Sequence, residues 1–223
     1  MPDTIDLSRY TVFVPPDPFE DHVGPFYFDL QGDARKAGTV HCVLPTLPRH
    51  GNYMGGVHGG GILTFADYAL CLVAGRAADG GTNTSFAMTV SIAVEFLNGA
   101  VIGPPLEARG EPLQVTGRLA FARGSITQEG RTIALWSGVC RHVARAKAMA
   151  RKDEQAPARI DLPPTTVSFA AEFLSAGDIA APLVTRVEVP RRGKSIAFLR
   201  GLLEQNGRAL LSYSATMLLR PKG

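Results

Sequence analysis

The sequence predicts an α+β protein in which an antiparallel sheet wraps one buried helix and part of that sheet is present twice. Three observations predict it. From Ile62 to Ala74 nearly every residue is apolar (Ile62, Leu63, Phe65, Ala66, Ala69, Leu70, Leu72, Val73, Ala74), and a helix with no polar stripe has to be buried on all sides. Downstream, alternating apolar runs succeed one another with no helix between them, so there is no βαβ alternation. The stretch from Thr89 to Arg131 then returns at a constant offset of 77 residues.

Residues 1–22 read as an arm, because Pro15-Pro16-Asp17-Pro18 argues against a regular element there. Pro25 to Leu30 and Thr39 to Leu44 read as a hairpin or two short strands, punctuated by Gly32-Asp33 and Gly38. A glycine-rich loop carrying His50, Asn52, Gly55 and Gly56 leads into His58-Gly59-Gly60-Gly61, whose glycines leave the first N–H groups of the following helix bare. The helix runs to about Arg76 and stops at Gly80-Gly81. At that length it is too short and too interrupted to cross a bilayer, which takes about 20 apolar residues. Ala87–Leu97, Pro105–Val115, Arg118–Gln128 and Arg131–Val143 are four strands, the last two joined by the hairpin signal Glu129-Gly130.

Residues 144–164 then read as a basic stretch of helical composition, beginning near His142 and carrying Arg145, Lys147, Arg151 and Lys152, followed by a proline-bearing linker. In the copy, Thr89-Val90-Ser91 returns as Thr166-Val167-Ser168, Glu95-Phe96-Leu97 as Glu172-Phe173-Leu174, Arg123-Gly124 as Arg200-Gly201, and Gly130-Arg131 as Gly207-Arg208. Nothing between Ala144 and Pro164 resembles the glycine cluster or the apolar helix. The organisation expected is an arm (1–22), a main domain (23–143), a basic helix and linker (144–164), and a strands-only partial repeat (165–223).

Composition narrows the function. With 223 residues, 45% of them hydrophobic and 19% charged, the chain can bury a full core and is neither disordered nor low in complexity. A net charge of +3 points to neither nucleic acid nor a membrane surface as partner. The N-terminus shows no signal-peptide pattern, so a cytoplasmic location is expected. Cys42, Cys71 and Cys140 are far apart and odd in number, which reads as buried thiols rather than a disulfide framework. The five histidines show no ligand spacing, and no metal is expected.

Asn52-x5-His58-Gly59-Gly60-x6-Asp67, followed by the Val94-Glu95-Phe96-Leu97 strand and the Gly117-Arg118 and Gln128-x-Gly130-Arg131 strands, resembles the hotdog-fold acyl-CoA thioesterases, with the phenylacetate-degradation type as the nearest branch. The resemblance spans about Phe19 to Val143; the C-terminal part resembles the strand half of a second hotdog. It implies a six-stranded sheet curled round the helix, hotdog units that pair as a homodimer or larger oligomer, and active sites between paired units. It also implies hydrolysis of an acyl-CoA thioester without cofactor.

Carried over, the Gly59 N–H would polarise the thioester carbonyl, His58 and Asn52 would shape that pocket or hold the water, and Asp67 of the partner would be nucleophile or general base. Gly60 belongs to the same glycine turn. A hydroxyl at the start of the next strand falls to Thr89, or to Ser85. Tyr68 is a candidate for the acyl pocket, and Arg118 or Arg123 for the CoA phosphates. Each residue also has a plainer reading: His58 as a structural histidine, the glycines as a tight turn, Asn52 as a turn residue. A carboxylate in mid-helix on an apolar surface costs several kcal/mol unless paired, so Asp67 is either functional or a cap for a neighbouring loop.

The half-repeat leaves two arrangements. Extending the far edge of the sheet, it would leave the pairing surface free, and this is the arrangement expected. Docked as an internal partner, it would block pairing and leave a non-catalytic acyl-CoA or acyl-ligand binding protein. A hotdog dehydratase is a third possibility, disfavoured because its base is a histidine with a differently placed acid.

Overall fold

The computed structural model describes residues 5–12, 18–29, 40–81, 85–144, 165–193 and 196–219. At its centre the glycine cluster opens helix α2, Gly59–Ala78, which ends where Gly80 and Gly81 take positive φ. Ile62, Phe65, Ala66, Tyr68, Ala69, Leu70, Val73, Ala74 and Gly75 are buried. At 20 residues α2 is longer than expected, and by length and composition it would reach across a bilayer. Here its apolar side chains face the sheet instead.

The chain before α2 forms β1 (Thr11–Val12), α1 (Pro18–Val23), β2 (Tyr27–Asp29) and β3 (Val40–Leu44). The first 22 residues are therefore not a featureless arm. Thr11 and Val12 pair with Phe28 and Tyr27, and the buried Tyr10 hydroxyl lies 2.8 Å from His41 Nδ1. Pro18 opens α1, where its missing N–H would have had no helical partner.

After α2 come β4 (Ser85–Phe96), β5 (Leu106–Val115), β6 (Leu119–Gln128) and β7 (Arg131–Ala144). The copy supplies β8 (Thr165–Phe173), β9 (Val184–Arg192), β10 (Ile196–Gln205) and β11 (Arg208–Leu218). The stretch read as basic and helical begins inside β7, which runs to Ala144; residues 145–164 lie outside the described residues.

All eleven strands form one antiparallel sheet in the order β1-β2-β3-β5-β6-β7-β4-β8-β11-β10-β9. The copied strands repeat the first set's details. Gln128 accepts from the Val101 N–H and donates to the Val101 and Pro104 carbonyls; Gln205, 77 residues on, accepts from Asp178 N–H and donates to the Asp178 and Ala181 carbonyls. The Trp136 ring lies where a Cβ on Gly124 would have to go, and the Tyr213 ring does the same over Gly201.

The two sets meet at β4 and β8, with Ser91 opposite Glu172, Ala93 opposite Ala170 and Glu95 opposite Ser168. Under the 77-residue offset Ala93 and Ala170 are counterparts, so a local two-fold axis passes between them. This overturns the expected placement at the far edge: the copy sits on the β4 edge of the first unit as an internal partner. Backbone pairing over Ser91–Glu95 explains the choice, since that stretch of β4 would otherwise be an open edge.

The partner is incomplete. Leu106 is 0% exposed beneath α2, whereas its counterpart Leu183 is 58% exposed. Among the described residues no helix covers the inner face of the copy.

Candidate active site

The loop before α2 is built by its own polar groups. Asn52 Oδ1 accepts from the Met54 and Gly56 N–H groups, and its Nδ2 donates to the Val57 carbonyl. All the polar atoms of that amide thus hold the loop. His50, also buried, accepts from Leu47 N–H at Nδ1 and donates from Nε2 to the Val23 carbonyl, which makes it the neutral Nε2–H tautomer. Burial holds its pKa below the usual histidine range. The His50 carbonyl in turn accepts from the His58 N–H, fixing the entry to the helix.

His58 is the N-cap of α2, its Nδ1 accepting from the Gly60 N–H at 2.9 Å. The Gly61 and Ile62 N–H groups go to the His58 carbonyl. That leaves the Gly59 N–H as a first-turn donor without a partner among the described residues. It sits at the positive end of a long helix dipole.

Two turns on, Thr64, Asp67 and Cys71 fall on the half-exposed stripe of α2 that also carries Gly60. Thr89, from β4, donates its hydroxyl proton to Asp67 Oδ1 at 2.6 Å. Asp67 Oδ2 has no hydrogen bond among the described residues. Burial pushes the Asp67 pKa up, and the Thr89 hydrogen bond offsets part of that rise. A half-shielded carboxylate with one bound and one free oxygen can take a proton from water near neutral pH.

The remaining sequence candidates are scattered. Tyr68 is buried away from Asp67, its ring stacked on Phe26 at 4.7 Å. Arg123 lies on the outer surface of the sheet, paired with Glu111 at 2.9 Å. Arg118 is in the β5–β6 turn, where its carbonyl accepts from the His142 N–H. Ser85 opens β4, and its side chain lies outside the described residues. Gly59 and Asp67 are eight residues apart on one helix, about 12 Å along its axis. One chain therefore holds a carboxylate and an amide end that do not meet.

Sequence reasoning missed the thiol pair that extends from Thr89, with Cys71 beside it and Cys140 behind. Cys71 Sγ is 3.1 Å from Thr89 Oγ1 and 3.9 Å from Cys140 Sγ. The spacing of Cys71 four residues after Asp67 was the available signal. Among the described residues no group of three His, Cys, Asp or Glu side chains is placed to hold a metal ion.

The fold is one that solved thioesterase structures share. The chain superposes on a TesB protein of Mycobacterium avium subsp. paratuberculosis with a TM-score of 0.60 at 13% identity, covering 81% of this chain and 93% of that one. An acyl-ACP thioesterase from Bacteroides thetaiotaomicron gives 0.60 at 8% identity over 82% and 99% of the two chains. A protein described as a putative oleoyl thioesterase, from Lactobacillus plantarum, gives 0.62 at 8% over 83% and 100%. The fold these structures share with the chain is the hotdog fold. Two family descriptions match the sequence itself: the thioesterase superfamily over residues 54–135, and the acyl-CoA thioesterase N-terminal domain over residues 135–218. The two matches follow one another along the chain, one over each copy of the strand unit. No curated protein matches the chain.

Proposed function

We propose that the protein hydrolyses acyl-CoA thioesters in a site that two chains complete, with Asp67 of one chain as general base and the Gly59 N–H of the other as oxyanion donor. What supports the reading is that one chain carries both a half-shielded carboxylate whose pKa burial raises and a bare helix-end amide, too far apart on α2 to meet within that chain. Among the described residues the copy supplies a β4 partner but no helix, and the reading puts the amide end of a second chain where a partner helix would lie.

In the reaction, Asp67 Oδ2 takes a proton from water as the water oxygen bonds to the thioester carbon. The carbonyl oxygen becomes an oxyanion held by the Gly59 N–H and the α2 dipole, a preorganised donor worth about 3–4 kcal/mol. Collapse breaks the C–S bond, and the CoA sulfur leaves with the proton returned from Asp67. His58 keeps the first turn of α2 in shape, and Asn52 keeps the loop. No cofactor enters these steps.

One observation favours a further distinction. Because the copy occupies the β4 edge, a lone chain holds only half of each site; it binds acyl-CoA without turning it over. Specific activity should then rise with protein concentration, in step with the mass measured by light scattering. Full activity in a species shown to be monomeric refutes the two-chain site. No release of CoA from any short, long or aromatic acyl-CoA refutes the hydrolase reading. The free thiols Cys42, Cys71 and Cys140 support a reducing compartment, in line with a cytoplasmic enzyme.

A further inference from the structure

We propose that Cys71 is a positioning residue for Asp67, acting through Thr89 with a hydrogen bond that reverses direction as Asp67 gains and loses its proton. This rests on the preceding reading only in giving Asp67 a proton to cycle; the hydrogen-bond chain stands on geometry.

Asp67 and Cys71 lie one turn apart on α2, and Thr89 reaches between them from β4. A threonine hydroxyl has one proton. While Asp67 is ionised that proton lies on the 2.6 Å bond to Oδ1, so Thr89 Oγ1 faces Cys71 as an acceptor and the thiol must donate. Cys140, 3.9 Å behind on β7, can donate to the Cys71 sulfur and complete a chain Cys140→Cys71→Thr89→Asp67. Each donor polarises the next, which strengthens the bond to the carboxylate.

Once Asp67 has accepted a proton on Oδ2, a half-turn of the carboxyl about its Cβ–Cγ bond brings that O–H to Thr89 Oγ1 as donor, and the threonine proton swings to the Cys71 sulfur. A thiol serves in both states because it donates and accepts; an alkyl side chain serves in neither. No bond to carbon is made or broken, and no oxidant is needed.

Burial and the neighbouring groups support this. The contact with Cys140, burial and the nearby Asp67 charge all push the Cys71 thiol up, so it keeps the proton it has to give. The groups acting on Asp67 are Thr89 from β4 and, one turn along α2, Cys71, which Cys140 of β7 backs; among the described residues no charged side chain shifts it. A protonated, enclosed thiol of this kind is also a poor nucleophile, which argues for a positioning role over a redox one.

The test is the titration of the Asp67 side-chain carbon by NMR in full-length protein labelled with 13C at aspartate, assigned with D67N. Cys71→Ala should raise the Asp67 midpoint by on the order of half a pH unit, about threefold in its proton affinity. Cys71→Ser, which donates and accepts, should return it towards wild type. In a Thr89→Val background, Cys71→Ala should produce no further shift. The acid limb of kcat/KM against pH should move upward by the same amount in Cys71→Ala. An unmoved Asp67 midpoint in Cys71→Ala, an equal shift in Cys71→Ser, or an undiminished shift in the Thr89→Val background overturns the proposal. Since the NMR arm needs no substrate, a wild-type protein without hydrolytic activity would end the functional reading and leave the hydrogen-bond chain to be judged on its own.

Discussion

Ala93 and Ala170, counterparts in the two copies of the strand unit, face each other across the β4–β8 seam. Their pairing joins the two strand units about a local two-fold axis, and among the described residues only the first unit carries a helix. It covers the Ser91–Glu95 part of the β4 edge.

Because β8 is a central strand of the joined sheet, proline at Ala170 should be poorly tolerated. Ala170→Pro is expected to destabilise the protein by about 3 kcal/mol, by analogy with proline in other hydrogen-bonded interiors. Thermal unfolding followed by circular dichroism checks it. An unchanged midpoint would mean that the seam contributes little.

Asp67→Asn should cost a hundredfold or more in kcat, the lower range of a lost general base, with the fold retained. Stability should respond to pH as well. The folded-state pKa of Asp67 is raised by burial, so its protonated form favours the fold. That contribution is present below the unfolded carboxylate pKa, near 4, and is lost as pH rises towards the folded value. D67N carries no such charge. It should therefore melt increasingly above wild type as pH rises from about 4, and melting curves that stay parallel on that rise would contradict the burial of a charge at this position.

Gly59→Pro removes a single N–H at the first helical position, where proline is well accommodated, and His58 already has the extended backbone that a following proline favours. The expected loss is on the order of 100- to 1000-fold in kcat with helix content unchanged. Mixing Gly59→Pro chains with Asp67→Asn chains should recover part of the activity, since a mixed pair contains one intact Asp67–Gly59 combination. A mixture no more active than its parts would show that the two groups do not meet across chains.

Gln128 is fully engaged with Val101 and Pro104. Gln128→Leu strands a backbone N–H and two carbonyls in a buried site, at a cost of about 1–3 kcal/mol. Differential scanning calorimetry should show the lower midpoint. Gln205→Leu should cost a similar amount, because the same clamp recurs on Asp178 and Ala181.

Much of the fold was legible in the residues. The apolar run after His58 gives a buried helix because it has no face to show to water. The 77-residue repeat announces four strands and then four more. The glycine end and the carboxylate were likewise visible, because both are anomalies: bare amides at one end, a charge amid apolar side chains in the middle. The first 22 residues were misread. Prolines spoke against local structure there, while the pairing of Thr11-Val12 with β2 and the anchoring of Tyr10 on His41 depend on partners elsewhere in the chain.

By itself, then, the sequence determined the helix, the strand unit and its duplication, since each is written in local periodicity or in repetition along the chain. Only the tertiary structure decided that the copy docks on β4 rather than at the far edge, and that Thr89 and Cys71 converge on Asp67. Edge pairing and side-chain hydrogen bonds join residues distant in sequence, and their free energy is realised only when the sheet has closed round the helix.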